Sequence, residues 1–326
     1  MATMTYREAL NEALREEMDR DPDVFLMGEE VAEYDGAYKV SKGLLDVFGD
    51  QRVVDAPISE LGFAGLGVGA AMAGLRPIIE FMTFNFAYLA LDQIINNASK
   101  LCYMSGGQFK VPITFRGPNG PALQLGAQHS QACETYFLHA PGCKVVTPAT
   151  PADAKGLLKA SIRDDDPVAF MEGELLYNSK GEVPEEDDFV IPLGVADLKR
   201  VGSDVSIITH GQMVHVALQA SDKLESEGIE AEVLDLRSVR PLDVDAILGT
   251  VQKTNRVVYV EDSWPYAGTG AQVVSIIQEE AFDHLDAPVL RVTQADVPMP
   301  YAKNLEALAK PSVERVVESC KKVLYR

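Results

Sequence analysis

Two doubly wound α/β domains are what this chain of 326 residues predicts. Three observations carry that expectation. Short apolar runs of strand length alternate with helical patterns, the mark of parallel sheets covered by helices on both faces. The rhythm breaks once, over 178–193, where Gly181, Pro184, Pro192 and the acidic run Glu185-Glu186-Asp187-Asp188 read as a linker. The length suits two domains of roughly 100–200 residues each. The expected division is a first domain over 1–180, a linker over 181–200 and a second domain over 201–326.

Thr5 and Glu8 form a capping-box pattern, and Ala9, Leu10, Ala13, Leu14 and Met18 follow at helical spacing, so 5–19 reads as a helix. Residues 24–27 read as a strand ending in Gly28-Glu29-Glu30. Then come a helix over 41–48, a strand over 52–54, a small-residue helix over 62–74, a strand over 76–82 and a long helix over 84–104. A strand over 111–116 is stopped by Gly117-Pro118-Asn119-Gly120, a turn cluster. Residues 130–139 read as helix, 144–147 as strand, 151–163 as a helix with proline near its start, and 168–172 as strand. After the linker, strands are expected over 205–209, 231–236, 257–261 and 289–292. Helices are expected over 214–227, 244–250, 270–281 and 312–324.

A chain 47% hydrophobic and 24% charged is globular rather than disordered or fibrous. Its formal charge of −20 argues against nucleic acid or an anionic membrane as partner, since both need basic patches. It permits a basic protein partner. Cys102, Cys133, Cys143 and Cys320 show no metal spacing and no disulfide framework, which suits a reducing compartment. The uncharged run 61–75 is shorter than the ~20 apolar residues of a membrane span. A soluble, intracellular protein is expected: cytoplasmic in a bacterium, or in the mitochondrial matrix or a plastid if a targeting peptide has been removed.

No phosphate loop, zinc-protease helix or nucleophile elbow is present. Gly65-Leu66-Gly67-Val68-Gly69 imitates a dinucleotide fingerprint, but Asp55-Ala56-Pro57-Ile58-Ser59-Glu60 intervenes after the preceding strand. Close helix packing is the favoured reading, with a nicotinamide-dinucleotide-binding subunit as the alternative. Glu60 heads this segment among Ile58, Leu61 and Phe63. A carboxyl stripped of water there would favour its neutral form and could donate a strong hydrogen bond. The competing reading is an exposed glutamate at a helix start. His129, in Gly126-Ala127-Gln128-His129-Ser130-Gln131, can exchange protons near neutrality or simply serve a helix start. Phe81, Phe84, Phe86 and Tyr88 either stack a planar heterocycle or form core.

Several segments in one order carry a resemblance. They are Gly28-Glu29-Glu30-Val31, Asp35-Gly36-Ala37-Tyr38, 57–65 (Pro-Ile-Ser-Glu-Leu-Gly-Phe-Ala-Gly), 80–86 (Glu-Phe-Met-Thr-Phe-Asn-Phe), Tyr103-Met104-Ser105-Gly106-Gly107, 116–120 (Arg-Gly-Pro-Asn-Gly), Gln128-His129-Ser130-Gln131 and 296–301 (Asp-Val-Pro-Met-Pro-Tyr). Glu60, Gly65, Leu66 and Gly69 also fit the spacing of a thiamine-enzyme glutamate motif. End to end, the chain resembles the beta subunits of the thiamine-diphosphate-dependent 2-oxoacid dehydrogenases, most closely the pyruvate branch. Branched-chain 2-oxoacid and acetoin dehydrogenases are the alternatives within that family.

The resemblance implies a transketolase-like pyrimidine-binding domain followed by a transketolase C-terminal-like domain. It implies thiamine diphosphate as cofactor, with Glu60 on N1′ of the aminopyrimidine, Phe86 stacked on that ring, Ile58 and Met82 nearby, and Glu29 in an acidic relay between two active sites. It implies that His129 acts when the two-carbon unit passes to a lipoyl group. The Mg²⁺ that holds the diphosphate would come mainly with an alpha subunit, in an assembly of two alpha and two beta chains. Potassium would be bound by carbonyls of the segment at Ile113 and the loop Ser161, Ile162, Asp164 and Asp166. A dihydrolipoyl acetyltransferase would dock near Asp286 and the terminal Arg326.

Overall fold

The computed structural model describes residues 1–186 and 188–326; Asp187 of the acidic run lies outside the described residues. Two compact units form: Met1–Asn119 with Tyr136–Leu193, and Gly120–Thr135 with Gly194–Arg326.

The first unit contains β1 (Ala2–Thr5), α1 (Tyr6–Arg20), β2 (Val24–Gly28), α2 (Leu44–Phe48), β3 (Val53–Asp55), α3 (Glu60–Met72), β4 (Arg76–Glu80), α4 (Ser99–Met104) and β5 (Thr114–Asn119). After α5 (Glu134–Leu138), which straddles the boundary, come β6 (Lys144–Val146), α6 (Pro151–Arg163), β7 (Val168–Gly173) and β8 (Lys180–Val183). Within this unit the parallel strands run β6-β7-β5-β4-β2-β3. β1 pairs antiparallel with β8. The capping box at Thr5 forms in both directions: Thr5 N donates to Glu8 Oε2 at 2.7 Å, and Glu8 N to Thr5 Oγ1 at 3.2 Å. α1 buries Tyr6, Leu10, Leu14 and Met18. Its polar edge meets α6 through Lys155–Glu16 at 2.7 Å and Arg163–Glu17 at 2.6 Å.

The second unit contains β9 (Asp197–Arg200), β10 (Val205–Thr209), α7 (Met213–Ser226), β11 (Ala231–Asp235), β12 (Ser238–Arg240), α8 (Val244–Thr254), β13 (Val257–Val260), α9 (Thr269–Glu280), β14 (Leu290–Val292), α10 (Lys303–Ala309) and α11 (Val313–Val323). Its sheet runs β14-β13-β10-β11-β9, parallel except for β9, which is antiparallel to β11. Apolar clusters cover both faces, one around Ile207, Val233 and Val260, the other around Ile208, Ile247 and Tyr259.

Three local departures from the sequence reading have physical causes. The expected helix over 84–104 is a 3-10 turn (Phe86–Ala90), a π-helix (Asp92–Ala98) and α4. The Ser99 hydroxyl donates to the Ile94 carbonyl at 2.7 Å and widens the ladder there. β5 does not stop at Gly117 but runs through Pro118 to Asn119. There its partner β4 has ended, so only β7 pairs with it and the missing proline N–H costs nothing. β9 and all of β8 but its first residue, Lys180, lie inside the stretch expected as linker.

Glu261 follows β13 and is fully buried. Burial raises its carboxyl to about 7, against the pull of the Gly270 N–H and the Arg291 charge. A carboxyl so raised holds its proton longer in the folded than in the unfolded chain. Its contribution is therefore complete below about pH 4.5 and is lost as pH rises through 7. Glu261→Gln should stabilise the protein at pH 8 by up to about 3 kcal/mol and leave stability at pH 4.5 little changed. Urea unfolding at the two pH values checks this; an equal effect at both would contradict it.

Candidate active site

In register, Gly28 at the end of β2 lies beside Asp55 of β3 on one side and Glu80 of β4 on the other. The residues that follow leave the sheet at its carboxyl end, where parallel α/β sheets form their ligand crevices. Asp55 grips the chain leaving β2, accepting from the Ala32 N–H at 2.7 Å and the Glu33 N–H at 3.2 Å. The Ala56 N–H donates back to the Gly28 carbonyl at 2.8 Å.

This arrangement brings Glu29, just beyond β2, against Glu60, the first residue of α3. They are 7% and 6% exposed. Burial first, then the charge of Glu60 and a hydrogen bond to it, raise the Glu29 carboxyl above the ordinary glutamate range. Glu29 Oε1 has no hydrogen-bond partner. Glu60 is thus at a helix start, as one reading held, and buried, as the other held. Its burial does not come from all the neighbours the sequence suggested: Phe63 is buried, but Ile58 is 85% exposed and Leu61 half exposed.

The loop after β4 carries Met82 and Phe86, both half-buried. It is pinned to β5: Phe81 N donates to Arg116 O at 2.9 Å, and Phe84 N to Pro118 O at 2.8 Å. Gly117 makes the approach feasible, because a Cβ there would lie 2.3 Å from the Phe81 carbonyl. Phe81 and Phe84 are core, in ring contact with Phe115 and Phe137 respectively. The aromatic cluster therefore splits, with Phe86 and Tyr88 on its partly open side.

His129 is half-buried and belongs to the second unit, within Gly120–Thr135, whereas Glu60 belongs to the first. The glycines of 65–69 sit inside α3 rather than in a strand-to-helix turn, which overturns the dinucleotide-fingerprint alternative. Gly67 instead packs on β4, where a Cβ would lie 2.7 Å from Ile79.

Sequence reasoning missed the support beneath the site. Arg116 is 1% exposed; its Nε donates to Glu172 Oε1 at 2.6 Å and its Nη1 to Glu80 Oε2. The Tyr177 hydroxyl donates to Glu172 Oε2 at 2.7 Å. The signal was present: Glu80, Arg116 and Glu172 each end or interrupt an apolar strand, and buried charges there need partners.

Two family models match the chain: transketolase, pyrimidine binding domain, over residues 2–180, and transketolase, C-terminal domain, over 194–316. A split-gene transketolase, solved as an inactive beta4 tetramer, superposes with TM-score 0.80 at 24% identity, covering 99% of this chain and 98% of that one. That likeness supports the fold. The pyruvate dehydrogenase E1 component subunit beta of Rhizobium meliloti (strain 1021) is 56% identical over 326 residues, 100% of this chain and 71% of the relative. The chain belongs to the pyruvate dehydrogenase E1 beta-subunit family. The same-named protein of Rickettsia felis is 56% identical over 99% of this chain and 98% of its own, and the mitochondrial one of Bos taurus 54% identical over 98% and 90%.

The remaining positions inherited from this beta-subunit family lie away from Glu60 in sequence. The Ile113 carbonyl accepts from Val168 N at 2.9 Å, and that of Ser161 from Asp164 N at 3.3 Å. The carbonyls of Ile162 and Asp164 both accept from Arg76 Nη1, at 3.2 and 3.1 Å. Lys144 pairs with the side chains of Asp164 at 2.7 Å and Asp166 at 3.2 Å. In the second unit Asp286 pairs with Arg256 at 3.0 Å, and its carbonyl accepts from the Tyr325 hydroxyl at 3.1 Å. Arg326 is exposed beside Lys321 and Lys322.

Arg116→Met would leave Glu80 and Glu172 buried without their cation. The expected loss is about 3–5 kcal/mol in urea unfolding at pH 7. A loss under about 1 kcal/mol would mean that the arginine is not what keeps the two glutamates in place.

Proposed function

We propose that this chain is the beta half of a thiamine-diphosphate-dependent pyruvate dehydrogenase, acting in oxidative decarboxylation with acetyl transfer to a lipoyl group. The single observation that supports this most is the buried Glu29–Glu60 pair at the carboxyl end of β2, in a chain 56% identical to named beta subunits over its full length. In this reading 1–180 is the pyrimidine-binding domain, 181–200 the linker and 201–326 the C-terminal domain.

The residues fit one half of the cofactor. A buried carboxyl pair, an orphaned Glu29 oxygen, an exposed Ile58 and the half-buried ring of Phe86 and thioether of Met82 suit a flat, basic heterocycle. Thiamine diphosphate, when bound, supplies a thiazolium that accepts the electron pair freed as carbon dioxide leaves a 2-oxoacid. Glu60 would hydrogen-bond N1′ of the aminopyrimidine, with Glu29, whose carboxyl is raised by burial and by Glu60, beside it. Phe86 would stack on the ring, with Ile58 and Met82 beside it. His129 gives a proton to the sulfur of the lipoyl ring as it opens.

The other half of the cofactor needs Mg²⁺ and oriented donors. Among the described residues, no group of three His, Cys, Asp or Glu side chains could hold a metal ion. We assign the diphosphate and Mg²⁺ to an alpha subunit, in an assembly of two alpha and two beta chains. A potassium ion at Ile113, Ser161, Ile162, Asp164 and Asp166 would have to use second lone pairs of the first four carbonyls, which already accept hydrogen bonds, and no step runs through it. The dihydrolipoyl acetyltransferase would dock at Asp286 and Arg326, through contacts that weaken as salt rises. Among the described residues no helix is long and apolar enough to cross a membrane. The proposed location is the bacterial cytoplasm, or the mitochondrial matrix or plastid of a eukaryote.

Glu60→Gln should keep the fold and lower turnover by on the order of 10²–10⁴, since the amide cannot pass the proton. Near-normal turnover in the assembled enzyme would remove Glu60 from the mechanism. His129→Ala should lower reductive acetylation of a lipoyl domain more than decarboxylation measured with an artificial electron acceptor. Equal losses in the two assays would contradict its transfer role.

A further inference from the structure

Residues 120–135 lie in sequence between two strands of the first unit, yet they pack with the second. Part of what holds them there is polar. Gln212 Nε2 donates to the Pro121 carbonyl at 3.2 Å and to Asp262 Oδ2 at 2.5 Å. Gly120, with φ +84, fits so tightly against this pair that a Cβ would lie 2.9 Å from Asp262 Oδ2 and 3.1 Å from Gln212 Nε2. The Gly120 N–H donates to the Gln131 carbonyl at 3.1 Å, closing 120–131 into a loop, with His129 two residues before the closure. At the far end, Gln124 N donates to Glu306 Oε2 and Gln124 Nε2 to Tyr301 O, both at 3.2 Å.

We propose that Gln212 and Asp262 are positioning residues for His129, gripping the base of its loop; this rests on the transfer role given to His129 above. The larger apolar side chains of the loop add little, since Leu123 is 73% and Leu125 38% exposed and the buried Ala122 and Ala132 are small. Gln212 and Asp262, by contrast, are 8% and 5% exposed, so their bonds are made away from water, where they are strong and directional. For stability alone an apolar pair of similar volume would serve as well or better. What the polar pair adds is a fixed grip on the main chain of Pro121. With the base held and Gly120 tied to Gln131, the His129 backbone has little freedom.

The test uses the full chain and the assembled enzyme. In the purified chain, Gln212→Ala should speed hydrogen exchange at amides of 120–131 by about ten-fold, the loss of roughly one buried hydrogen bond, and leave β10 unchanged. In the assembled enzyme it should lower reductive acetylation of a lipoyl domain by about ten-fold and artificial-acceptor decarboxylation by less than two-fold. Added to His129→Ala, it should lower transfer no further, because it acts through that residue. Asp262→Asn, whose amide oxygen still accepts from Gln212, should behave as the parent. Asp262→Ala spares the Pro121 bond and should give the same pattern at smaller size, which keeps the test open if Gln212→Ala fails to fold. Unchanged exchange would overturn the inference while leaving the transfer role intact, as would a full further loss in the His129→Ala background. Normal transfer by His129→Ala alone would overturn the transfer role and the inference with it.

Discussion

Glu29 and Glu60 are buried against each other, and that burial and the nearby Glu60 charge make the Glu29 carboxyl harder to ionise. Most of what surrounds them makes that closeness unavoidable. The parallel register of β2 and β3 sets Gly28 beside Asp55, so the chain leaving one strand meets the chain leading to α3. Asp55 then clamps the Ala32 and Glu33 amides, which prevents Glu29 from swinging out to water. Glu29 is therefore harder to ionise than a solvated glutamate. That is the chemical property a basic ring nitrogen would use.

The ionic support under this pair is of a different kind. Arg116 sits between Glu80 and Glu172 with no access to water, and it contributes rigidity rather than chemistry. Its neighbours in sequence anchor the loop bearing Met82 and Phe86. One strand, β5, therefore serves the first unit three times: through its buried charge, through the Arg116 and Pro118 carbonyls, and through Gly117. Immediately beyond Asn119 the chain changes allegiance, and the His129 loop is held by groups of the second unit. Glu29 and Glu60 thus belong to the first unit and His129 to the second.

How much of this was legible in the sequence depended on how local the cause was. α1 and α6 were readable because Thr5 with Glu8, and Thr150 with Pro151, write their caps into adjacent residues. The central strands were readable as apolar runs. The stretch 84–104 was not, because nothing in its residue pattern separates a 3-10 turn and a π-helix from an α-helix. The extension of β5 through Pro118 depends on where β4 ends, and no local pattern says so. Glu60 was singled out by a glycine pattern, but its partner Glu29 is brought to it only by strand register. The Arg116 network and the Gln212–Asp262 grip join residues 36 to 91 positions apart, so only the folded chain displays them.

The central claim is that this chain provides the half of the site that receives the aminopyrimidine, while the diphosphate and its metal are held by another polypeptide. Titration calorimetry of the purified chain with thiamine diphosphate and Mg²⁺, before and after adding an alpha subunit, tests it most directly. The account predicts no measurable binding heat from the chain alone and tight, stoichiometric binding once the alpha subunit is present. Tight binding by the chain alone would contradict it.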